Sequence, residues 1–211
     1  MAISIKRLYK LLMDSYGPQG WWPLLDVGYH KKEYSFPKTK EEAFEICVGA
    51  ILTQNTRWEN VEVALKRLKE RGLLSARELA MGGSKVEDAI RPTGYFRQKA
   101  RKLSAFSSYF SSLGGRTPSR EELLSLWGIG KETADSILNY AYRQEVFVVD
   151  AYTRRFFSAL GIIKGGEDYE YVRALVESEI KGYENLQEFH ALIVRHEKGK
   201  KVEELRSTLS L

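Results

Sequence analysis

Leu126-Trp127-Gly128-Ile129-Gly130-Lys131-Glu132-Thr133-Ala134, followed one helix later by Val148-Val149-Asp150, is the stretch around which the chain is organised. Upstream, Glu121, Glu122, Leu123, Leu124 and Leu126 predict a short helix that starts after Pro118 and Ser119. Downstream, Ala134, Ile137, Leu138 and Ala141 recur at helical spacing and predict one apolar face. Gly128 and Gly130 then sit in a tight hairpin between two helices, where glycine permits φ > 0 and the close approach of another backbone. The second helix opens with unpaired N–H groups aimed at whatever lies in front of it, which suits a phosphate. Lys131 opposes the helix dipole at that end and makes better sense as a ligand contact. The spacing alone fits an ordinary helical hairpin with two turn glycines equally well.

A chain of 211 residues makes one compact domain or two small lobes with a substantial core. With 43% hydrophobic and 29% charged residues it has the composition of a soluble globular protein. A net charge of +5 favours a polyanionic partner without specifying a fold. The single cysteine, Cys47, lies among Phe44, Ile46, Val48 and Ile51 and reads as a core thiol, so disulfides and cysteine-based metal sites are excluded. The three histidines lack zinc-ligand spacing. No stretch approaches the ~20 apolar residues of a membrane span, and the N-terminus lacks a signal-peptide core, so a cytoplasmic protein is expected.

Periodicity predicts a first helix over residues 3–16, ended by Gly17-Pro18. Trp21-Trp22-Pro23 follows in an irregular segment, either a lid on the core or a surface for stacking a planar ligand. Thr39 caps a helix over 41–53, whose end, Thr53-Gln54-Asn55-Thr56, is unusually rich in amides. Further helices are predicted around 61–68, 75–81 and 84–90 and from about Phe96 to Leu113. Arg97, Lys99, Arg101 and Lys102 crowd the start of the last of these, against its dipole. They are read as phosphate contacts, with a solvated face as the alternative. Asp150 precedes a helix beginning near Ala151, so it can act as an N-cap, which would also hold its carboxylate in place for other work. The last helices are predicted over 167–181 and 184–206. No segment alternates as a strand would, and the fold class is all-α.

L-x-G-I-G-x-x-T-A, a helix, and then V-V-D at this distance resembles the helix-hairpin-helix signature, with its acidic residue, of the endonuclease III superfamily of DNA glycosylases. Trp127 stands where that family usually has proline. The resemblance covers nearly the whole chain. Gly49-Ala50-Ile51-Leu52-Thr53-Gln54-Asn55-Thr56, Gly94-Tyr95-Phe96 through Lys99-Ala100, and Phe189-His190-Ala191-Leu192-Ile193 match further family segments. It implies two helical lobes enclosing a cleft: residues 41–150 as the central lobe with the hairpin, and 1–40 with 151–211 as the second. Within the superfamily the chain looks most like the cluster-free 3-methyladenine DNA glycosylases, which share the W-W-P, G-A-x-L-T-Q-N-T, R-P-x-G and G-I-G-K-E-x-A-D stretches.

Carried over by position, the resemblance implies Asp150 as the catalytic carboxylate and Trp21, Trp22, Pro23, Phe44 and Lys198 around the base. Gln54 would fill the gap left by an extruded base, and Gly128, Gly130, Lys131, Thr133, Arg97 and Lys99 would grip phosphates. Electron-poor, partly cationic alkylated purines suit aromatic faces. Two departures matter. No cysteines follow the closing helix, so an iron–sulfur cluster cannot be bound in the family manner, and no cofactor is expected beyond a monovalent cation at the hairpin carbonyls. The Schiff-base lysine of bifunctional members is replaced by Glu132, while Lys131 lies one residue early, about 100° away on a helix. The expectation is a monofunctional, monomeric glycosylase acting on double-stranded DNA with alkylated bases. Two rivals are a glycosylase or lyase for oxidised or mismatched bases, and a non-catalytic helix-hairpin-helix DNA-binding protein.

Overall fold

In a computed structural model, residues 4–199 are described, and all their regular structure is helical apart from one isolated bridge between Leu24 and Gly28. The predicted helix over 184–206 therefore runs partly outside the described residues; α11 is described as Tyr183–Gly199. The chain divides into two compact units.

One unit comprises residues 22–28 and 35–142. It contains α2 (Lys40–Leu52), α3 (Trp58–Glu70), α4 (Ala76–Met81), α5 (Ser84–Ile90), α6 (Phe96–Ser112), α7 (Arg120–Ser125) and α8 (Lys131–Ser136). α2 starts in a full capping box, with Thr39 Oγ1 accepting from Glu42 N and Glu42 accepting from Thr39 N. Every residue from Phe44 to Leu52 is buried, so α2 is the helix around which the others pack. Its Gly49 admits Trp22: a Cβ there would lie 3.1 Å from the indole nitrogen. A second capping box, Ser119 with Glu122, starts α7 at the predicted place. The apolar pattern after the hairpin departs from its α-helical reading. α8 is α-helical only to Ser136, and Ile137–Ala141 forms one wider π-helical turn, buried throughout. That turn carries Tyr140, which meets Trp22 edge-on at 5.3 Å.

The other unit comprises, among the described residues, 4–21, 29–34 and 143–199, with α1 (Ile5–Tyr16), α9 (Ala151–Ala159), α10 (Tyr169–Glu179) and α11. Its core joins Leu8 and Leu12 of α1, Phe156 of α9, Val172 of α10 and Phe189 of α11. The segment before Asp150 belongs here, because Phe147 and Val149 are buried in this same core. The expected division after Asp150 therefore falls after Tyr142 instead. Residues 22–28 and 35–40, expected in the terminal lobe, cluster with the central one.

Candidate functional site

The hairpin is closed by a turn in which Ile129 N donates to Leu126 O at 3.1 Å. Trp127 and Gly128 are its two central residues, and Gly128 has the φ of +82° that a type II turn requires. A Cβ at Gly128 would also lie 2.5 Å from the Lys102 side chain, so glycine is required twice over. Gly130 differs from the sequence expectation. Its backbone is extended (φ −96°, ψ 177°), and a Cβ would meet nothing within 4 Å. Arg120 and Asp135 tie α7 to α8 through a bidentate pair at 2.6 and 3.1 Å, with Asp135 fully buried.

The side chain of Gln54 is fastened to this hairpin. Its Nε2 donates to Gly128 O at 3.1 Å and to Thr133 Oγ1 at 2.9 Å, and Lys102 Nζ donates to its Oε1. Three predicted residues, Gln54, Gly128 and Thr133, are thus brought into one network, together with Lys102. Asn55, next in the chain, is left-handed (φ 53°), as asparagine tolerates. Tyr95 is left-handed as well (φ 46°), which a tyrosine adopts only at a cost, and it is 69% exposed. Sequence reasoning gave Tyr95 no role, although Gly94 before it marked the break.

Arg97 extends into solvent with Glu87 4.0 Å away, whereas Lys99 corrects the reading of a phosphate contact. Lys99 is 2% exposed, and its ammonium donates at 2.8 Å to both Leu52 O and Thr93 O. It satisfies a carbonyl left over at the end of α2 and another beside the 3₁₀ turn at Arg91–Thr93. Burial, with some help from Lys102, lowers its pKa to about 8. Lys99 lies in line with the buried Leu103, Phe106 and Phe110 of α6, so the helical period carried the signal, which the reading of its charge near the helix start passed over.

Trp22 and Phe44 are buried (5% and 3% exposed), Trp22 edge-on to Trp58 and Phe44 against Phe106 and Phe110. Pro23 is buried too, while Trp21 is partly exposed and edge-on to Tyr29. Lys198 is exposed near the end of α11, Lys131 is half-buried and Glu132 is exposed.

Asp150 is the N-cap of α9. Its Oδ1 accepts from Thr153 N at 2.7 Å, and its Oδ2 lies 3.4 Å from Nε2 of the buried His190 on α11. Burial pushes the carboxyl pKa up, but the His190 imidazole beside it, followed by the Thr153 N–H, outweighs it and holds the group below its ordinary value. The result is an ionised carboxylate with both oxygens oriented. His190, forty residues on, gave no signal by spacing.

The profile of the family described as HhH-GPD superfamily base excision DNA repair protein matches residues 48–181, which include the Gln54 turn, the hairpin and Asp150. The chain belongs to the HhH-GPD superfamily. It is similar to a Methanocaldococcus jannaschii protein named as a DNA repair glycosylase, 41% identical over 91% of this chain and 86% of that one. It is also similar to endonuclease III of Thermotoga maritima, 34% identical over 66% of this chain and 68% of that one. Among solved structures it resembles H. pylori 3-methyladenine DNA glycosylase (MagIII) bound to 1,N6-ethenoadenine. That likeness has a TM-score of 0.73 and 28% identity, covering 94% of this chain and 99% of the other. As an HhH-GPD protein, the chain is a DNA glycosylase of base excision repair and binds damaged DNA. With one cysteine, it has no four-cysteine set for an iron–sulfur cluster, and among the described residues no cluster of His, Cys, Asp or Glu suits a metal ion. Among those residues no helix is long and apolar enough to cross a membrane.

Proposed function

We propose that this HhH-GPD glycosylase is monofunctional and releases alkylated purines such as 3-methyladenine, leaving an intact abasic site. The observation that carries this reading is the likeness to MagIII over nearly the full length of both chains, in a chain that also has Trp21-Trp22-Pro23 and Glu132. The T. maritima endonuclease III relative supports the rival, a glycosylase for oxidised bases.

The reaction starts with the damaged nucleotide leaving the stack, because its glycosidic bond is out of reach inside the duplex. Gln54 fills the hole, which requires it to leave the hairpin bonds described above. Gly128, Gly130, Lys131, Thr133 and Arg97 hold the backbone. Gly130 is exposed with open space at its Cβ position, which leaves room for a backbone there. A monovalent cation on the hairpin carbonyls would add positive charge there. Trp21, the accessible ring of the aromatic set, stacks on the base. Cation–π contact with a cationic purine is worth ~1–2 kcal/mol. Asp150, ionised, stabilises the oxocarbenium-like sugar and orients or deprotonates the water that attacks C1′. An N-alkylated, positively charged purine departs as a neutral base, so no strong general acid is needed.

Chromatography of bases released from methylated and from oxidised duplexes tests the reading. Methylated bases should appear, and Asp150→Asn should cut their release by ~10²-fold or more while leaving duplex binding intact. Release from oxidised DNA alone would establish the rival. Equal release by Asp150→Asn would remove Asp150 from the chemistry.

A further inference from the structure

Trp127 occupies the first corner of the hairpin turn, the position at which a type II turn favours proline. The other tryptophans of its unit, Trp22 and Trp58, are 5% and 6% exposed; Trp127 is 47% exposed. Its ring is not bare, because the guanidinium of Arg101, reaching from the first turns of α6, lies 4.2 Å from its centroid. Arg101 is itself exposed, and among the described residues no hydrogen bond of the Trp127 indole N–H is recorded. The neighbouring cations are Lys102, whose side chain runs under Gly128, and Lys131, three residues after the glycine.

A flat apolar ring, an N–H donor and a planar five-donor cation therefore share one corner of a basic hairpin. Packing does not require this arrangement. Leu126 and Ile129 already turn inward, Ile129 to 6% exposure, and proline would set the corner better than tryptophan. The pairing suits a ligand that presents an apolar ring edge beside an anion. The deoxyribose and phosphate of a DNA backbone have that composition, and the positive surroundings match their charge.

The geometry points to Trp127 and Arg101 as an additional backbone contact: the indole packs on a deoxyribose while Arg101 and the indole N–H donate to the adjoining phosphate. This rests on the reading of the hairpin as a duplex-binding element and adds to it a component that salt does not weaken. A lysine–phosphate contact releases counterions and fades as salt rises, whereas an indole on a sugar does not.

The experiment titrates the full chain with a short undamaged duplex at several salt concentrations, following tryptophan emission and a label on the DNA. The proteins compared are wild type, Trp127→Ala, Trp127→Pro and Arg101→Ala. Wild-type emission should change on binding, and most of that change should vanish in both Trp127 variants. These variants should bind roughly 5- to 20-fold more weakly at every salt, the scale of one lost aromatic stack, with an unaltered salt slope. Arg101→Ala should make the slope shallower by about one unit. Three results would overturn the inference while leaving duplex binding by the protein intact. They are wild-type affinity in Trp127→Ala, recovery of wild-type affinity in Trp127→Pro (an indole that only shapes the turn), and a Trp127→Ala that changes self-association rather than affinity. A wild-type chain that binds no duplex would overturn this inference and the underlying reading together.

Discussion

Replacing Lys99 with methionine separates two accounts of that residue, and the size of the effect follows from its surroundings. Methionine keeps most of the buried stem but removes a donor to Leu52 O and Thr93 O. Each buried carbonyl left without a partner costs ~1–3 kcal/mol, so the gross loss is ~2–6 kcal/mol. Part is recovered, since the ammonium no longer has to be held out of water. The drop of its pKa from the ordinary value of about 10.4 to about 8 puts that relief at ~3 kcal/mol. The net expectation runs from a stabilisation of about 1 kcal/mol to a destabilisation of about 3 kcal/mol, at most a fall in Tm of roughly 12 °C for a chain of this size, so the salt slope and the pH series are the deciding readouts. Duplex binding by the protein that remains folded should keep its salt slope, because no phosphate contact is lost. A pH series adds a second check. Between about pH 8 and about 10.4 the unfolded chain holds the Lys99 proton more firmly than the folded one, so this group makes stability rise with pH. Lys99→Met should lack that rise. An unchanged Tm together with a salt slope shallower by about one unit would show that Lys99 faces phosphate after all, and the account of a buried bridge would be wrong.

Two further outcomes are expected. Arg120→Met removes the bidentate partner of the fully buried Asp135 and should destabilise the chain by ~3–5 kcal/mol in chemical unfolding, far more than Arg116→Met, whose partner Glu122 lies at the surface. Incubation with a methylated duplex and borohydride should give free base without a covalent protein–DNA complex and strand breaks only after alkali, because Glu132 cannot form an imine; robust trapping that disappears in Lys131→Ala would restore the lyase.

Sequence alone determined the helical class, most helix starts and the hairpin, because these are local matters. Thr39 and Ser119 cap helices from within one turn, Gly128 has a φ that few other residues adopt, and the 3.6-residue period of apolar side chains is written in order along the chain. The position of Asp150 at the head of α9 was legible for the same reason. What the tertiary structure decided is which partners those residues meet across long separations. His190 reaches Asp150 from forty residues away, and Gln54 reaches Gly128 across seventy-four. Lys99 turns inward to carbonyls of Leu52 and Thr93, and two tryptophans that read as one cluster separate into a buried Trp22 and a partly exposed Trp21. Periodicity shows which face of a helix a residue occupies, but not what stands opposite that face. Whether a lysine or an indole is buried or bare depends on elements that come together only when the chain has folded.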